Sequence, residues 1–84
     1  MSEYFFVKFA KNHSNESRFA FIVSSKNIKK AVGRNLLKRR AREIIRKNLD
    51  KIRKGHNISF TFSAKAKNLD YNLLEKEIAK VLWS

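Results

Sequence analysis

The stretch from Lys29 to Lys47, KKAVGRNLLKRRAREIIRK, constrains this chain more than any other. Wound at about 100° per residue, Leu37, Ala41, Ile44, Ile45 and Asn48 share one side. That spacing predicts a long helix from about Ile28 to Leu49 with a stripe facing the core and Asn48 at its margin. Asn27 is the candidate N-cap. Gly33 costs such a helix about 1 kcal/mol relative to Ala. The arc beside the stripe holds Asn35, Lys38, Arg39, Arg42 and Arg46, with Arg34 at its border, while Arg40 and Lys47 lie on a further side. The stretch contains one acid, Glu43. A solvated helix face normally mixes signs, because like charges at i,i+4 destabilise a helix by a few tenths of a kcal/mol. Here Arg34–Lys38, Lys38–Arg42 and Arg42–Arg46 are all like pairs. An anion lying along this flank relieves that repulsion.

The remaining composition says which anion. The chain has 84 residues, 43% of them hydrophobic, which predicts one folded domain over residues 1–84 with a modest core. Its formal net charge is +13, which points to a polyanion. Each neutralised phosphate releases condensed counterions, and the Arg guanidinium forks onto phosphate oxygens. A membrane surface needs bulky apolar residues beside the cations, and the apolar stripe of this helix is committed to the core. No apolar run approaches the roughly 20 residues of a bilayer span, and the start, MSEYFFVKFAKN, does not read as a signal peptide. There is no cysteine, which excludes disulfides and thiolate metal sites. A cytoplasmic protein without a membrane partner or a small-molecule substrate is expected.

Flanking elements complete the picture. YFFVKFA, Tyr4 to Ala10, and RFAFIVSS, Arg18 to Ser25, read as strands around a turn-forming cluster from Lys11 to Ser17, which predicts an antiparallel hairpin. Gly55 marks a turn. NISFTFSA, Asn57 to Ala64, alternates Ile58, Phe60 and Phe62 with Ser59, Thr61 and Ser63, a strand with one buried face. After a loop, Asp70 can cap a final helix from Tyr71 to Leu82, whose Tyr71, Leu74, Ile78, Val81 and Leu82 recur at helical spacing, and Trp83 is expected to pack against the sheet. The β-β-α-β-α order predicts an α+β two-layer sandwich, a small sheet with both helices on one face and the other face open to a ligand. No helix-turn-helix or zinc ligand set is present, and a sheet carrying aromatics suits unpaired RNA bases.

These residues resemble the protein subunit of bacterial ribonuclease P. That family's signature is Arg-Asn followed by Lys-Arg and further arginines on the helix after a hairpin, matched here by Arg34, Asn35, Lys38, Arg39, Arg40, Arg42 and Glu43. The lead-in RFAFIVSSKNIKKAVGRN and the later NISFTFSAKAKNLDYNLLEKEIAKVL extend the similarity over about residues 4 to 82. The resemblance implies a ribonucleoprotein endonuclease in which the RNA, with Mg²⁺ bound to it, removes the 5′ leader of precursor tRNA. The protein then has no catalytic residue and no cofactor of its own. Its partners are the ribonuclease P RNA and precursor tRNA. By transfer, Arg34, Asn35, Lys38, Arg39, Arg42, Arg46 and Lys30 contact the catalytic RNA, and Tyr4, Phe6, Lys8 and Lys26 are candidates for leader contact.

Three positions depart from the family pattern. Leu36 stands where the motif usually has a third residue Arg, and Ser25 and Lys26 stand where a Lys-Lys pair is common. Family members usually begin with an extra helix, whereas this sequence begins almost directly with the first strand, which implies weaker discrimination between leaders. The histidines, His13 and His56, read as loop residues and not as a catalytic pair, which needs both imidazoles at one phosphate. The alternative is a structural RNA-binding protein of ribosomal type, equally small and basic.

Overall fold

The computed structural model describes residues 2–67 and 69–83. In chain order it contains β1 (Phe5–Lys11), β2 (Arg18–Val23), α1 (Ala31–Lys47), β3 (His56–Phe62) and α2 (Tyr71–Leu82), with single 3-10 turns at Leu49–Lys51 and Ala64–Ala66. The expected order of elements and the α+β sandwich are therefore present.

The expected hairpin is not. The sheet order is β1-β3-β2, with β3 antiparallel to β1 and parallel to β2. β1 and β2 run in opposite directions but never pair, because β3 fills the slot between them. The reason is burial. β3 alternates perfectly, with Ile58, Phe60 and Phe62 at 0–1% exposure, and the strand with the most apolar face takes the place with two neighbours. The turn-forming cluster becomes a strap over the start of β3. Asn12 donates its amide to the Gly55 carbonyl at 3.0 Å, its side chain reaches Asn57 Oδ1 at 3.1 Å, and Ser17 Oγ donates to the Arg53 carbonyl at 2.5 Å. Gly55 has φ +79°, and a Cβ there would lie 3.0 Å from the Ser14 carbonyl oxygen, so the strap fits only against glycine.

One face of the sheet carries the core. Phe5, Val7, Phe19, Phe21, Val23, Ile58, Phe60 and Phe62 point toward Leu37, Ala41, Ile44 and Ile45 of α1 and Leu74 and Ile78 of α2. The rings interlock, Phe5 edge-on to Phe60 at 5.4 Å and Phe21 stacked on Phe60 at 5.5 Å. Trp83 packs against this cluster, as expected. Asn48 is buried at the helix end with its side-chain amide donating to the Ile44 carbonyl at 2.8 Å.

The start of α1 differs from its expected form. The helix begins at Ala31, Lys30 occupies the N-cap position without a capping side chain, and the first turn holds no acid. Asn27, the expected cap, instead donates to the Phe62 carbonyl at 3.1 Å and pins the incoming loop to the end of β3. Gly33 has a packing role there, since a Cβ would sit 3.1 Å from Ile28 Cγ2. α2 matches its predicted bounds, and Asp70 accepts from the Leu73 amide at 3.1 Å.

Candidate nucleic-acid interface

The stripe of α1 fixes which way its cations face. With Leu37, Ala41, Ile44 and Ile45 buried, Asn35, Arg39, Arg42 and Arg46 stand exposed and Lys38 half-buried along one flank. Among the described residues the ion pairs lie elsewhere: Lys47 with Glu75 at 3.2 Å, Lys65 with Glu3 at 3.9 Å, Lys80 with Glu77 at 3.0 Å. No carboxylate among the described residues neutralises Lys38, Arg39, Arg42 or Arg46, and Glu43 pairs with none of them. Arg42 leans toward β2, its guanidinium carbon 5.7 Å from the Phe21 ring centre, which carries the basic flank onto the edge of the sheet.

Other cations of the helix are engaged in holding the fold. Arg34 Nη1 donates to the carbonyls of Ile28 and Lys29, both at 2.8 Å, and so fastens the loop that carries Lys29 and Lys30. This clamp was not legible in the sequence, because it joins residues across an irregular turn. Arg40 donates to the Leu69 carbonyl at 3.1 Å and ties α1 to the approach of α2. Lys47 lies over the Tyr71 ring at 5.3 Å, and its pKa is raised, chiefly by its hydrogen bond to Glu75 and then by that to Tyr71. Lys30 and Lys26 are exposed, the latter in the turn after β2, where its amide donates to Ser24 Oγ at 3.0 Å.

The open face of the sheet is a second surface. Register places Phe6, Thr61 and Ile22 in one row across the strands, then Lys8, Ser59 and Ala20, then Ala10, Asn57 and Arg18. Phe6 and Ile22 are 43% and 50% exposed. A shallow depression of about 430 Å³ runs along Lys8, Ala10, Arg18 and Ser59. Of the candidate leader contacts, Phe6 and Lys8 lie on this face. Tyr4 does not join them: it precedes β1 and is half-buried against the core cluster. His13 is exposed in the strap with φ 59°, and His56 contacts the Lys54 carbonyl through Nδ1 at 3.0 Å. Among the described residues no three His, Asp or Glu side chains gather as metal ligands would, and no helix is long and apolar enough to cross a membrane.

The family model for ribonuclease P matches residues 1–84. The chain belongs to the ribonuclease P protein family. It is 38% identical over 82 residues to the ribonuclease P protein component of Fusobacterium nucleatum, covering 93% of this chain and 73% of that protein. It also resembles the solved RNase P protein from Thermotoga maritima in complex with 1-(4-fluorophenyl)-2-thiourea, with a TM-score of 0.90 and 35% identity over 98% of this chain and 79% of that one. The Staphylococcus aureus RNase P protein shares the fold, with a TM-score of 0.85 at 24% identity over 96% of this chain and 73% of that one. Family membership decides against the ribosomal alternative, which composition alone left open.

Proposed function

We propose that this chain is the protein subunit of ribonuclease P, which binds the catalytic RNA along α1 and assists removal of the 5′ leader from precursor tRNA. One observation carries the reading: Lys38, Arg39, Arg42 and Arg46 share a flank that no carboxylate of the described chain neutralises. Phosphates laid along it replace like-charge repulsion with charged hydrogen bonds and release counterions. Asn35 adds a neutral donor and acceptor on the same flank, and Lys30 and the Arg34-clamped loop extend it at the helix start.

The leader of precursor tRNA is assigned to the open sheet face. Phe6 and Ile22 offer apolar surface for unpaired bases, while Lys8 and Arg18 offer charge to the backbone between them. Lys26 stands at the far end of β2 as a further backbone contact. The protein positions, and the RNA with Mg²⁺ bound to it supplies the hydrolysis. A cytoplasmic location follows from that partner.

Reconstitution tests this directly. Precursor tRNA and a ribonuclease P RNA are incubated at low Mg²⁺ with and without the chain, and cleavage at the 5′ leader is followed. The expected result is little cleavage by the RNA alone, restored by the protein. Equal cleavage with and without the protein, together with no binding to the RNA, overturns the proposal.

A further inference from the structure

Across α1 from the core stripe, its first turns leave an apolar step that neither the fold nor the proposed contacts use. Val32 is 78% exposed, unusual for a valine in a helix, and Leu36 beside it is half-buried. They form the outer apolar lip of a groove of about 700 Å³ between the start of α1 and the approach to α2, above the buried Ile28, Leu37, Ala66 and Leu69. That volume lies within the roughly 300–1,000 Å³ of small-ligand clefts. Its rim is cationic: Lys29 and Lys30 on one side, Lys67 on the other, none of them ion-paired among the described residues. Arg40, hydrogen-bonded to the Leu69 carbonyl, holds the two walls together. The acid at the rim, Asp70, has its carboxylate engaged with the Leu73 amide.

Resting on the function proposed above, we infer that this groove takes an unpaired nucleotide of the partner RNA, its base laid on Val32 and Leu36 and its phosphates against Lys29, Lys30 and Lys67. Two observations select RNA over other occupants. Three lysines against the one acid, Asp70, leave the rim net positive, which matches a polyanion and opposes a second copy of a chain that carries +13. The groove is also continuous with the basic flank. Val32 and Asn35, and Leu36 and Arg39, are i,i+3 neighbours on α1, so one RNA strand reaches both. An apolar step with a cationic border suits a base with its phosphate, because every base presents a flat apolar face and a charged backbone.

The chain contains no cysteine, so Val32→Cys introduces a single thiol at an exposed position. Loaded with an aryl-azide crosslinker and bound to a ribonuclease P RNA, the full chain should crosslink on irradiation to one or a few unpaired nucleotides. Val32→Gln with Leu36→Gln should weaken RNA binding about tenfold while leaving the slope of log affinity against log salt unchanged, since an apolar contact releases no counterions. Lys29→Ala, Lys30→Ala and Lys67→Ala together should lower that slope by about 2. Circular dichroism melting confirms that each variant folds. Crosslinks to protein alone, to a second copy or to an added acidic peptide in preference to RNA overturn the inference. So does full affinity in the glutamine variant. A chain that crosslinks to nothing but loses affinity on Arg39→Ala and Arg42→Ala leaves the subunit assignment standing and removes only the groove. A chain with no affinity for the RNA at all removes both.

Discussion

The two helices of this protein lie on the same face of one sheet and are built by opposite rules. α2 starts on a capping aspartate, places Lys80 beside Glu77 at i,i+3, and offers Glu75 to Lys47 of its neighbour. α1 starts without a capping side chain and stacks three like pairs at i,i+4, Arg34–Lys38, Lys38–Arg42 and Arg42–Arg46, along one flank. α2 follows the local preferences for a capped start and opposite-charge pairing, with Lys76–Lys80 as its one like pair at i,i+4. α1 violates them where it faces solvent and obeys them where it faces the core. Local rules broken on one face only mark a surface shaped for something outside the chain.

The largest test of that contrast removes the flank. Arg39→Ala, Arg42→Ala and Arg46→Ala together should reduce affinity for a ribonuclease P RNA by about a hundredfold, taking about 1.5 kcal/mol per charged hydrogen bond and allowing for non-additivity. The salt dependence should flatten by about 2–3 units of slope. Thermal stability should hardly move, because the loss of the Arg42 contact with Phe21 is offset by relief of the Arg42–Arg46 repulsion. A melting temperature lowered by more than about 8 °C, equivalent to more than about 1 kcal/mol, would instead make these residues part of the scaffold.

Capping tests the contrast from both sides. Asp70→Ala should cost about 1 kcal/mol and lower the melting temperature by about 4–8 °C, because the Leu73 amide loses its acceptor. Lys30→Ser does the reverse at α1. It supplies the missing cap, should raise the melting temperature by a few degrees, and should weaken RNA binding with a slope lower by about 1. A Lys30→Ser protein that is both more stable and tighter on RNA would break the link between the poor cap and ligand binding.

These contrasts also explain what the sequence could and could not reveal. The stripe of α1, the alternation of β3 and the bounds of α2 follow from periodicity, which each residue carries by itself, so the layers and the basic flank were legible. Sheet order was not. Both outer strands have turn formers between them and read locally as a hairpin, and only the competition with β3 for the central position decides otherwise. Side chains that bridge irregular backbone were equally hidden. Arg34 clamping Ile28 and Lys29, Arg40 reaching Leu69, and Asn27 binding Phe62 rather than capping α1 all depend on where loops pass. Tyr4 shares the parity of Phe6 and Lys8, yet it lies before β1 and turns to the core cluster. The open face itself became defined only once register aligned Phe6, Lys8 and Arg18 with their neighbours on β3.

The smallest effect concerns the acid side of the pH scale and separates the helices again. Glu77 on α2 has its pKa held below the usual 4.5, first by the hydrogen bond from Lys80 and then by that from Ser2. A depressed carboxyl pKa adds stability that is present above the unfolded value and lost as pH falls through the folded one. The Lys80 side chain is 72% exposed, which screens the pair from its side and keeps the contribution below about 1 kcal/mol. Melting curves of the native chain and Glu77→Gln should therefore differ slightly at pH 7 and converge below pH 4.5 as Glu77 takes up its proton. Glu43 on α1 has no ion-pair partner among the described residues, so the acid-side difference should belong to α2. A gap between native chain and Glu77→Gln that stays constant from pH 7 to pH 3 would assign the contribution of Glu77 to packing and not to its charge.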